Sequence, residues 1–177
     1  MGARGWVVCS LLVVSGCARG VDLAGASVDP LAGGGVTALV FVAAGCPLSN
    51  RSAPALQRQY DKWRARGVSF YLVYPDDDVA AVRAHQSAYG LSWPALRDPH
   101  HRLARAMGAT VTPEAIVYRG RQRVYRGRID DRQIDFARER PAPTTHELDD
   151  AVAAALADRA PPTAETPAFG CAIGDPP

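Results

Sequence analysis

Lysine is almost absent from this 177-residue chain: Lys62 is the only one, and arginine supplies the other basic side chains. The basic excess is small, with 20 Lys and Arg against 18 Asp and Glu, and the arginines are scattered among the acids. Binding to a phosphate backbone requires a clustered basic excess, so we expect no nucleic-acid partner. The hydrophobic content of 47% excludes a wholly disordered chain, because apolar burial can offset the entropy lost on ordering.

The apolar run near the N-terminus, Trp6 to Val14, is too short for a membrane span, because crossing the hydrocarbon takes about 20 residues. It follows the charged residue Arg4 and precedes two small residues. A charged start, a short apolar stretch and small residues are the three parts of an export signal. We therefore predict a signal peptide over residues 1–16.

The four residues Val14-Ser15-Gly16-Cys17 resemble the lipobox of bacterial lipoproteins. The resemblance implies that the signal is cut before Cys17 and that the Cys17 sulfur carries a diacylglycerol. The alternative is an ordinary soluble export signal followed by a chance cysteine. The sequence thus predicts an extracytoplasmic lipoprotein that faces the periplasm and is held at the membrane by a lipid anchor.

Cysteine is also scarce, with four residues in the chain, and processing reduces the number of free thiols. Cys9 leaves with the signal and Cys17 is lipidated, so the thiols of Cys46 and Cys171 remain. Outside the cytoplasm two cysteines can pair, and such a pair can be structural or catalytic.

The chain divides into a glycine-rich lipidated tether over residues 17–35, one domain over 36–160 and a proline-rich tail over 161–177 that carries Cys171. The tether contains three consecutive glycines and no apolar periodicity, which is typical of a flexible linker. The tail has no core pattern of its own.

Apolar runs, helical spacing and turn residues predict the elements of the domain. Strands are expected over 36–42, 68–74, 115–118 and 124–129, and helices over 47–66, 76–89, 102–107 and 145–156. Thr144 with Glu147 predicts a capping box for the last helix, and residues 130–143 are expected to form a long loop. This order predicts an α/β fold with a mixed central sheet flanked by helices, which is also the order of the thioredoxin fold.

Cys46 lies where an apolar strand ends and a helix begins, and Pro47 suits the first helical turn, where a missing N–H costs nothing. Free N–H groups and the dipole at a helix N-terminus stabilise a thiolate, so we expect the thiol pKa of Cys46 to lie below its ordinary value of about 8.5. Arg51, about one turn further on, would add to this effect. A small buried hydrophobe is the alternative interpretation of Cys46.

Three segments resemble the redoxin (AhpC/TSA-like) branch of the thioredoxin superfamily: Cys46 to Arg51 with Ala53-Pro54, then Val111 to Glu114, and Tyr125 to Asp130. The similarity extends from about Val36 to the terminal Phe169-Gly170-Cys171-Ala172-Ile173. It implies a thioredoxin-like fold in which Pro113 is a cis-proline that faces the reactive cysteine. It also implies a substrate groove formed by Pro47, Arg51, Thr112 and Pro113.

The chain departs from the better-known branches at specific positions. A thioredoxin has a second cysteine where Ser49 stands, and a copper chaperone of the Sco type has one where Asn50 stands. A peroxiredoxin has a hydroxyl residue in place of Ala43 and a proline in place of Leu39. Cys171 is therefore the remaining candidate partner, either as a resolving thiol, as half of a structural bond, or as a free thiol that pairs with another protein.

The sequence predicts a thiol–disulfide oxidoreductase in which Cys46 is the nucleophile and Cys171 a possible resolving residue, with protein thiols or disulfides as partners. One alternative is a thiol peroxidase that acts on peroxide, with Cys46 peroxidatic and Cys171 resolving. The other is a redox-inert lipoprotein module that binds a partner. We expect no cofactor and no metal, because a metal site needs three or four converging ligands and no ligand pair at helical spacing occurs near Cys46. His85, His100, His101 and His146 are interpreted as solvated or core histidines.

Overall fold

The computed structural model describes residues 18–174. The predicted signal peptide and Cys17 lie outside the described residues, as do the last three residues. Nine strands and four helices follow one another within the described range. In chain order they are β1 (Gly20–Asp22), β2 (Ser27–Val28), β3 (Val36–Phe41), α1 (Pro47–Arg64), β4 (Ser69–Tyr74), α2 (Val79–Tyr89), β5 (Ala95–Arg97), α3 (Arg102–Met107), β6 (Val111–Thr112), β7 (Glu114–Arg119), β8 (Gln122–Gly127), α4 (Glu147–Leu156) and β9 (Cys171–Ala172).

The main sheet has seven strands in the order β2-β1-β5-β4-β3-β7-β8. β3, β4 and β5 run parallel to one another, whereas β1 pairs with β5, β7 with β3, and β8 with β7 in antiparallel fashion. The sheet is therefore mixed, and the predicted thioredoxin-like fold is confirmed. A separate two-stranded sheet joins β6 to β9.

The central strand β3 is buried on both faces, as its apolar run predicts. Ala38 and Val40 pack on one side of the sheet with side chains from α1, α2 and α4, whereas Leu39 and Phe41 pack on the other side with α3. Successive side chains of a strand point to opposite faces, so one run of six residues supplies both layers of the core. The carboxyl end of β3 leads directly into the loop that carries Cys46.

The expected tether is wrong for residues 20–28. Gly20 and Val21 pair with Val28 and Ser27 in a hairpin, and β1 extends the sheet beside β5. An added Cβ at Gly20 would lie 2.8 Å from a Leu103 side-chain carbon, so the glycine permits close packing here rather than flexibility. The composition of these small residues predicts a linker, because strands of two or three residues are too short to show an apolar periodicity.

The predicted capping box of α4 is also wrong. The helix begins at Glu147, two residues later than expected, with His146 at the cap position and no side-chain cap bond. The Thr144 hydroxyl instead donates to the buried Asp131 carboxylate, whose pKa is held well below its usual range by that bond and by the N–H groups of Thr144 and Thr145. Glu147 accepts from Arg128 and thereby ties the start of α4 to the end of β8.

The tail docks on the domain at two places. At the edge of β8, the Arg126 N–H donates to the Ala164 carbonyl and the Thr166 N–H donates to the Arg126 carbonyl, and the Thr166 hydroxyl contacts the Tyr125 hydroxyl at 2.7 Å. Further along, β9 pairs with β6, and the Ile173 N–H donates to the Thr110 carbonyl at 2.9 Å. Cys171 is thereby brought to the carboxyl end of the central sheet.

Candidate redox site

Cys46 occupies the N-cap position of α1, with an extended backbone and Pro47 in the first turn. Its carbonyl accepts the first helical hydrogen bond, from the Asn50 N–H, at 3.1 Å. The first turn of α1 contains no acidic residue, so no side chain of that turn offsets the positive end of the helix dipole. The side chain is only 2% exposed, which means that a partner reaches this sulfur only where the covering structure opens.

Cys46 forms a disulfide with Cys171, across 125 residues of chain and a Cα–Cα distance of 6.1 Å. Cys171 is half-buried and therefore more accessible than Cys46. The pair joins the N-terminus of α1 to β9. The two thiols that remain after the predicted processing thus meet in the folded domain.

The peptide bond between Thr112 and Pro113 is cis. This is the conformation that the resemblance implies, and it places the Thr112 carbonyl oxygen 3.1 Å from the Cys46 sulfur. In the reduced protein this oxygen can accept a hydrogen bond from the Cys46 thiol. Both Thr112 and Pro113 are buried.

Three hydrogen-bonded polar side chains, those of Asn50, His85 and Tyr74, support the loop before Cys46. The Asn50 amide donates to the Ala44 carbonyl at 3.3 Å, and its oxygen lies 2.9 Å from His85 Nε2. His85 Nδ1 in turn lies 2.8 Å from the Tyr74 hydroxyl. Because the Asn50 oxygen can only accept, Nε2 carries the histidine proton and Nδ1 accepts from Tyr74. The relay fixes the neutral form of His85 beside the Cys46 loop.

The electrostatics of this relay follow from its burial. Desolvation lowers the pKa of His85, and the nearby Asp77 carboxylate opposes that effect in part. Desolvation also raises the pKa of Tyr74, with Asp77 adding to the rise. Asp77 itself accepts a hydrogen bond from the Ala44 N–H at 3.0 Å. Ala44 is therefore held at its carbonyl by Asn50 of α1, which contacts His85 of α2, and at its N–H by Asp77 in the turn before α2.

A cavity of about 210 Å³ lies beside the cis-proline. Its floor is the exposed side of α1, and its walls are the loop after β8 and the tail. The lining combines apolar groups, among them Pro113, Ile129 and Phe169, with charged groups. The charged lining residues are Arg51, Arg58, Arg128, Asp130, Arg132 and Glu139. A ligand of mixed apolar and polar character fits this surface.

The AhpC/TSA family matches residues 19–127, which is more than half of the sequence. The chain belongs to the AhpC/TSA family. It is a redoxin of the thioredoxin superfamily, as the segments around Cys46, Pro113 and Tyr125 indicated. No curated protein matches this redoxin sequence.

Solved structures resemble this redoxin over most of its length. A hypothetical protein from Sinorhizobium meliloti 1021 is 26% identical, with a TM-score of 0.72 and coverage of 88% of each chain. An uncharacterized conserved protein from Geobacillus kaustophilus is 24% identical, with a TM-score of 0.75 and coverage of 88% of this chain and 86% of that one. A secreted Mycobacterium tuberculosis disulfide oxidoreductase, homologous to Escherichia coli DsbE, is 24% identical, with a TM-score of 0.56 and coverage of 77% and 94%.

The structure brings together most of the sequence-predicted site residues of this redoxin. Cys46 is bonded to Cys171, and Thr112 pairs with Cys171 while its carbonyl oxygen lies beside the Cys46 sulfur. Pro113 and Arg51 line the adjacent cavity. Pro47 is exposed at the start of α1 and does not line that cavity. The lipidation of Cys17 stays a prediction, because that residue lies outside the described range.

Sequence reasoning missed the relay behind the loop. Asn50 entered only as the position where another branch carries cysteine, and His85 only as a core histidine. His85 is indeed buried, but it contacts Asn50, which bonds the Cys46 loop. An amide one turn after the cysteine that precedes the helix was the available signal.

Two further observations concern the described range alone. Over residues 18–174, no three His, Cys, Asp or Glu side chains are grouped so that they could hold a metal ion. Over the same residues, no helix is both long enough and apolar enough to cross a bilayer.

Proposed function

We propose that this redoxin is an extracytoplasmic, lipid-anchored thiol–disulfide oxidoreductase that uses Cys46 as its nucleophile and Cys171 as its resolving thiol. The observation that carries the proposal is the pairing of Cys46 with Cys171 at a helix N-terminus beside the cis Thr112–Pro113 bond. The secreted Mycobacterium tuberculosis disulfide oxidoreductase shares this fold, which supports the proposed chemistry.

The cycle starts from the reduced pair. The Cys46 thiolate attacks one sulfur of a partner disulfide, and the other partner sulfur leaves as a thiolate. The Cys171 thiolate then attacks the Cys46 sulfur, which releases the second partner thiol and forms the Cys46–Cys171 bond. The partner has gained two electrons and the cysteine pair has lost them, so an external dithiol must reduce the pair before the next turnover.

The surroundings of Cys46 assist both steps. The helix N-terminus favours the Cys46 thiolate both when it attacks the partner disulfide and when the external dithiol, by attacking Cys171, expels it from the Cys46–Cys171 bond. The Thr112 carbonyl, 3.1 Å from the sulfur, holds the protonated thiol in place until the proton departs. Ser49, where a thioredoxin has its local resolving thiol, instead accepts a hydrogen bond from the Ala43 N–H, so resolution depends on Cys171.

The test compares disulfide reduction and peroxide consumption by the purified protein with a dithiol as reductant. We expect reduction of insulin disulfides, loss of that activity in Cys46→Ser, and covalent partner adducts that accumulate on non-reducing gels in Cys171→Ser. Peroxide consumption that depends on Cys46, without disulfide reduction, would replace the proposal by a thiol peroxidase. Inactivity in both assays would indicate a redox-inert binding module with a structural bond.

The location is tested separately through Cys17. Cys17→Ser should release the protein from the membrane fraction, because the lipid attaches to that sulfur. The matched control is Cys9→Ser, which changes a cysteine inside the predicted signal and should leave the protein at the membrane. A Cys17→Ser protein that is still processed and still sediments with membranes would contradict the lipid anchor.

A further inference from the structure

The edge of β6 is already occupied by the chain's own tail. Thr112 pairs with Cys171 and Val111 with Ala172 in antiparallel register, and the Thr112 hydroxyl lies 3.4 Å from the Cys171 carbonyl oxygen. The tail thus reaches the redox centre as a short extended strand that presents a cysteine to the Cys46 sulfur. A partner whose cysteine approaches the Cys46 sulfur along the β6 edge would contact the same residues that the tail contacts.

Those surroundings restrict the residue before the cysteine. A Cβ added at Gly170 would lie 2.3 Å from the Thr112 carbonyl oxygen and 2.6 Å from the Thr112 carbonyl carbon. Both are backbone atoms, so they cannot move aside as the end of a flexible side chain can. The position next to the reactive cysteine therefore accepts glycine alone without displacement of the strand.

The residue two positions before the cysteine has a site of its own. Phe169 lines the 210 Å³ cavity beside Pro113, and its ring contacts the Phe136 ring edge to face at 5.5 Å. Phe169 and Phe136 are nevertheless 43% and 57% exposed, which is unusual for phenylalanine. Because Phe169 is so exposed, an aromatic side chain of a partner can displace it from the cavity.

We propose that the tail is an internal copy of the substrate. On the proposed function, the redoxin acts on extended polypeptide segments in which an aromatic residue and then a glycine precede the reactive cysteine. Such a segment pairs with Val111–Thr112, places its aromatic ring in the cavity and brings its sulfur to Cys46.

The same geometry makes substrate and tail exclude each other. Reduction of the Cys46–Cys171 bond by a dithiol frees the β6 edge for the partner segment, whose disulfide Cys46 then attacks. In the mixed disulfide the partner lies where β9 lay. When the tail returns, the Cys171 thiolate attacks the Cys46 sulfur and β9 displaces the partner segment from β6. The partner thus loses its disulfide to Cys46 and its pairing with β6 in the same event.

The experiment uses the full chain with Cys171→Ser and three peptides, each linked through its cysteine to a small neutral thiol. The first has the sequence of residues 168–173, the second replaces its glycine by alanine, and the third replaces its phenylalanine by alanine. The rate at which each peptide becomes disulfide-linked to Cys46, with loss of the small thiol, is followed by mass spectrometry. The symmetrical disulfide of the small thiol is the reference reagent.

We expect the native-sequence peptide to react at least about tenfold faster than either substituted peptide, the factor that about 1.4 kcal/mol of lost contact produces. Equal rates for the three peptides would overturn the template proposal while leaving the oxidoreductase function intact. Failure of all the peptides and of the reference disulfide to modify Cys46 would overturn the proposed function itself. Adding Gly170→Ala to the same protein should speed the native-sequence peptide, because the resident strand no longer fits the edge.

Discussion

The sulfur of Cys46 experiences two opposing influences. The N-terminus of α1 favours the thiolate, whereas the Thr112 carbonyl at 3.1 Å accepts a hydrogen bond from the thiol and favours the protonated form. We expect the helix to dominate, because its free N–H groups act together and the first turn contains no acid.

The prediction is that alkylation of Cys46 in the reduced Cys171→Ser protein has a pH midpoint below about 8.5, the unperturbed cysteine value. The measurement is the rate of iodoacetamide labelling between about pH 5 and 10. A midpoint at or above the unperturbed value would mean that the loop does not activate the thiol, which would favour a structural bond.

His85 makes the stability of the redoxin depend on pH. Burial lowers its pKa below the ordinary value of 6.5, so the unfolded chain takes up the proton at a higher pH than the folded protein. The stabilisation from neutral His85 is therefore complete above about pH 6.5 and is lost as the pH falls through the lowered pKa. The Tyr74 hydroxyl donates to His85 Nδ1, so protonation of Nδ1 would place two donors opposite each other.

We therefore predict that the free energy of unfolding decreases as the pH falls below 6.5, and that His85→Gln makes this part of the profile flatter. Urea unfolding between about pH 5 and 8 measures it. His146→Gln is the matched control, because His146 is exposed at the start of α4. A profile that His85→Gln leaves unchanged would mean that this histidine is not the titrating group.

At the scale of elements, β9 depends on a residue without a side chain. Gly170→Ala should displace β9 from β6, because the new Cβ meets the Thr112 backbone at 2.3 Å. The Cys46–Cys171 bond should then be reduced several-fold faster by a dithiol, since the strand that shields it is loosened. Gly174→Ala, where an added Cβ meets nothing within 4 Å, is the control and should leave the rate unchanged. Equal rates in the two variants would contradict the close approach.

The elements that the sequence predicts correctly are those whose local and tertiary signals agree. The buried run of β3 and the glycine that ends α3 both lie where patterning places them. The hairpin of β1 and β2 was missed because its stability comes from pairing with β5, which no local pattern shows. The start of α4 was missed because a long-range acceptor, Asp131, takes the hydroxyl of the expected cap residue.

The same contrast applies to the site. The position of Cys46 and the cis bond at Pro113 could be predicted, the first from a strand followed by Pro at a helix start and the second from the family resemblance. The approach of Cys171 could not, because it depends on a tail whose contacts are spread over β8 and β6. The tail has no apolar period, so its path is set by backbone pairing and by two close approaches, that of Gly127 to Thr166 of the tail and that of the tail's own Gly170 to Thr112.

At the scale of the whole molecule, one bond closes most of the chain into a loop. A cross-link over 125 residues lowers the entropy of the unfolded chain, and the chain-entropy relation gives about 5 kcal/mol for a loop of this length. We predict that Cys46→Ser and Cys171→Ser lower the free energy of unfolding by similar amounts of up to about 5 kcal/mol, because either change opens the same loop. Denaturant unfolding of the two variants and of the unsubstituted protein, all in oxidising buffer, measures the loss in the free energy of unfolding. A much smaller loss in one variant would show that the free thiol left behind makes another stabilising contact.

On the proposed function, the unequal burial of Cys46 and Cys171 would give electron flow through the molecule a direction. Cys171 is half-buried and Cys46 is 2% exposed, so an incoming reductant would attack Cys171 and expel the Cys46 thiolate. The adduct with the reductant therefore forms on the tail, whereas the adduct with the partner forms on the helix. Electrons would then enter at one sulfur and leave from the other, and the two reagents would not compete for the same atom.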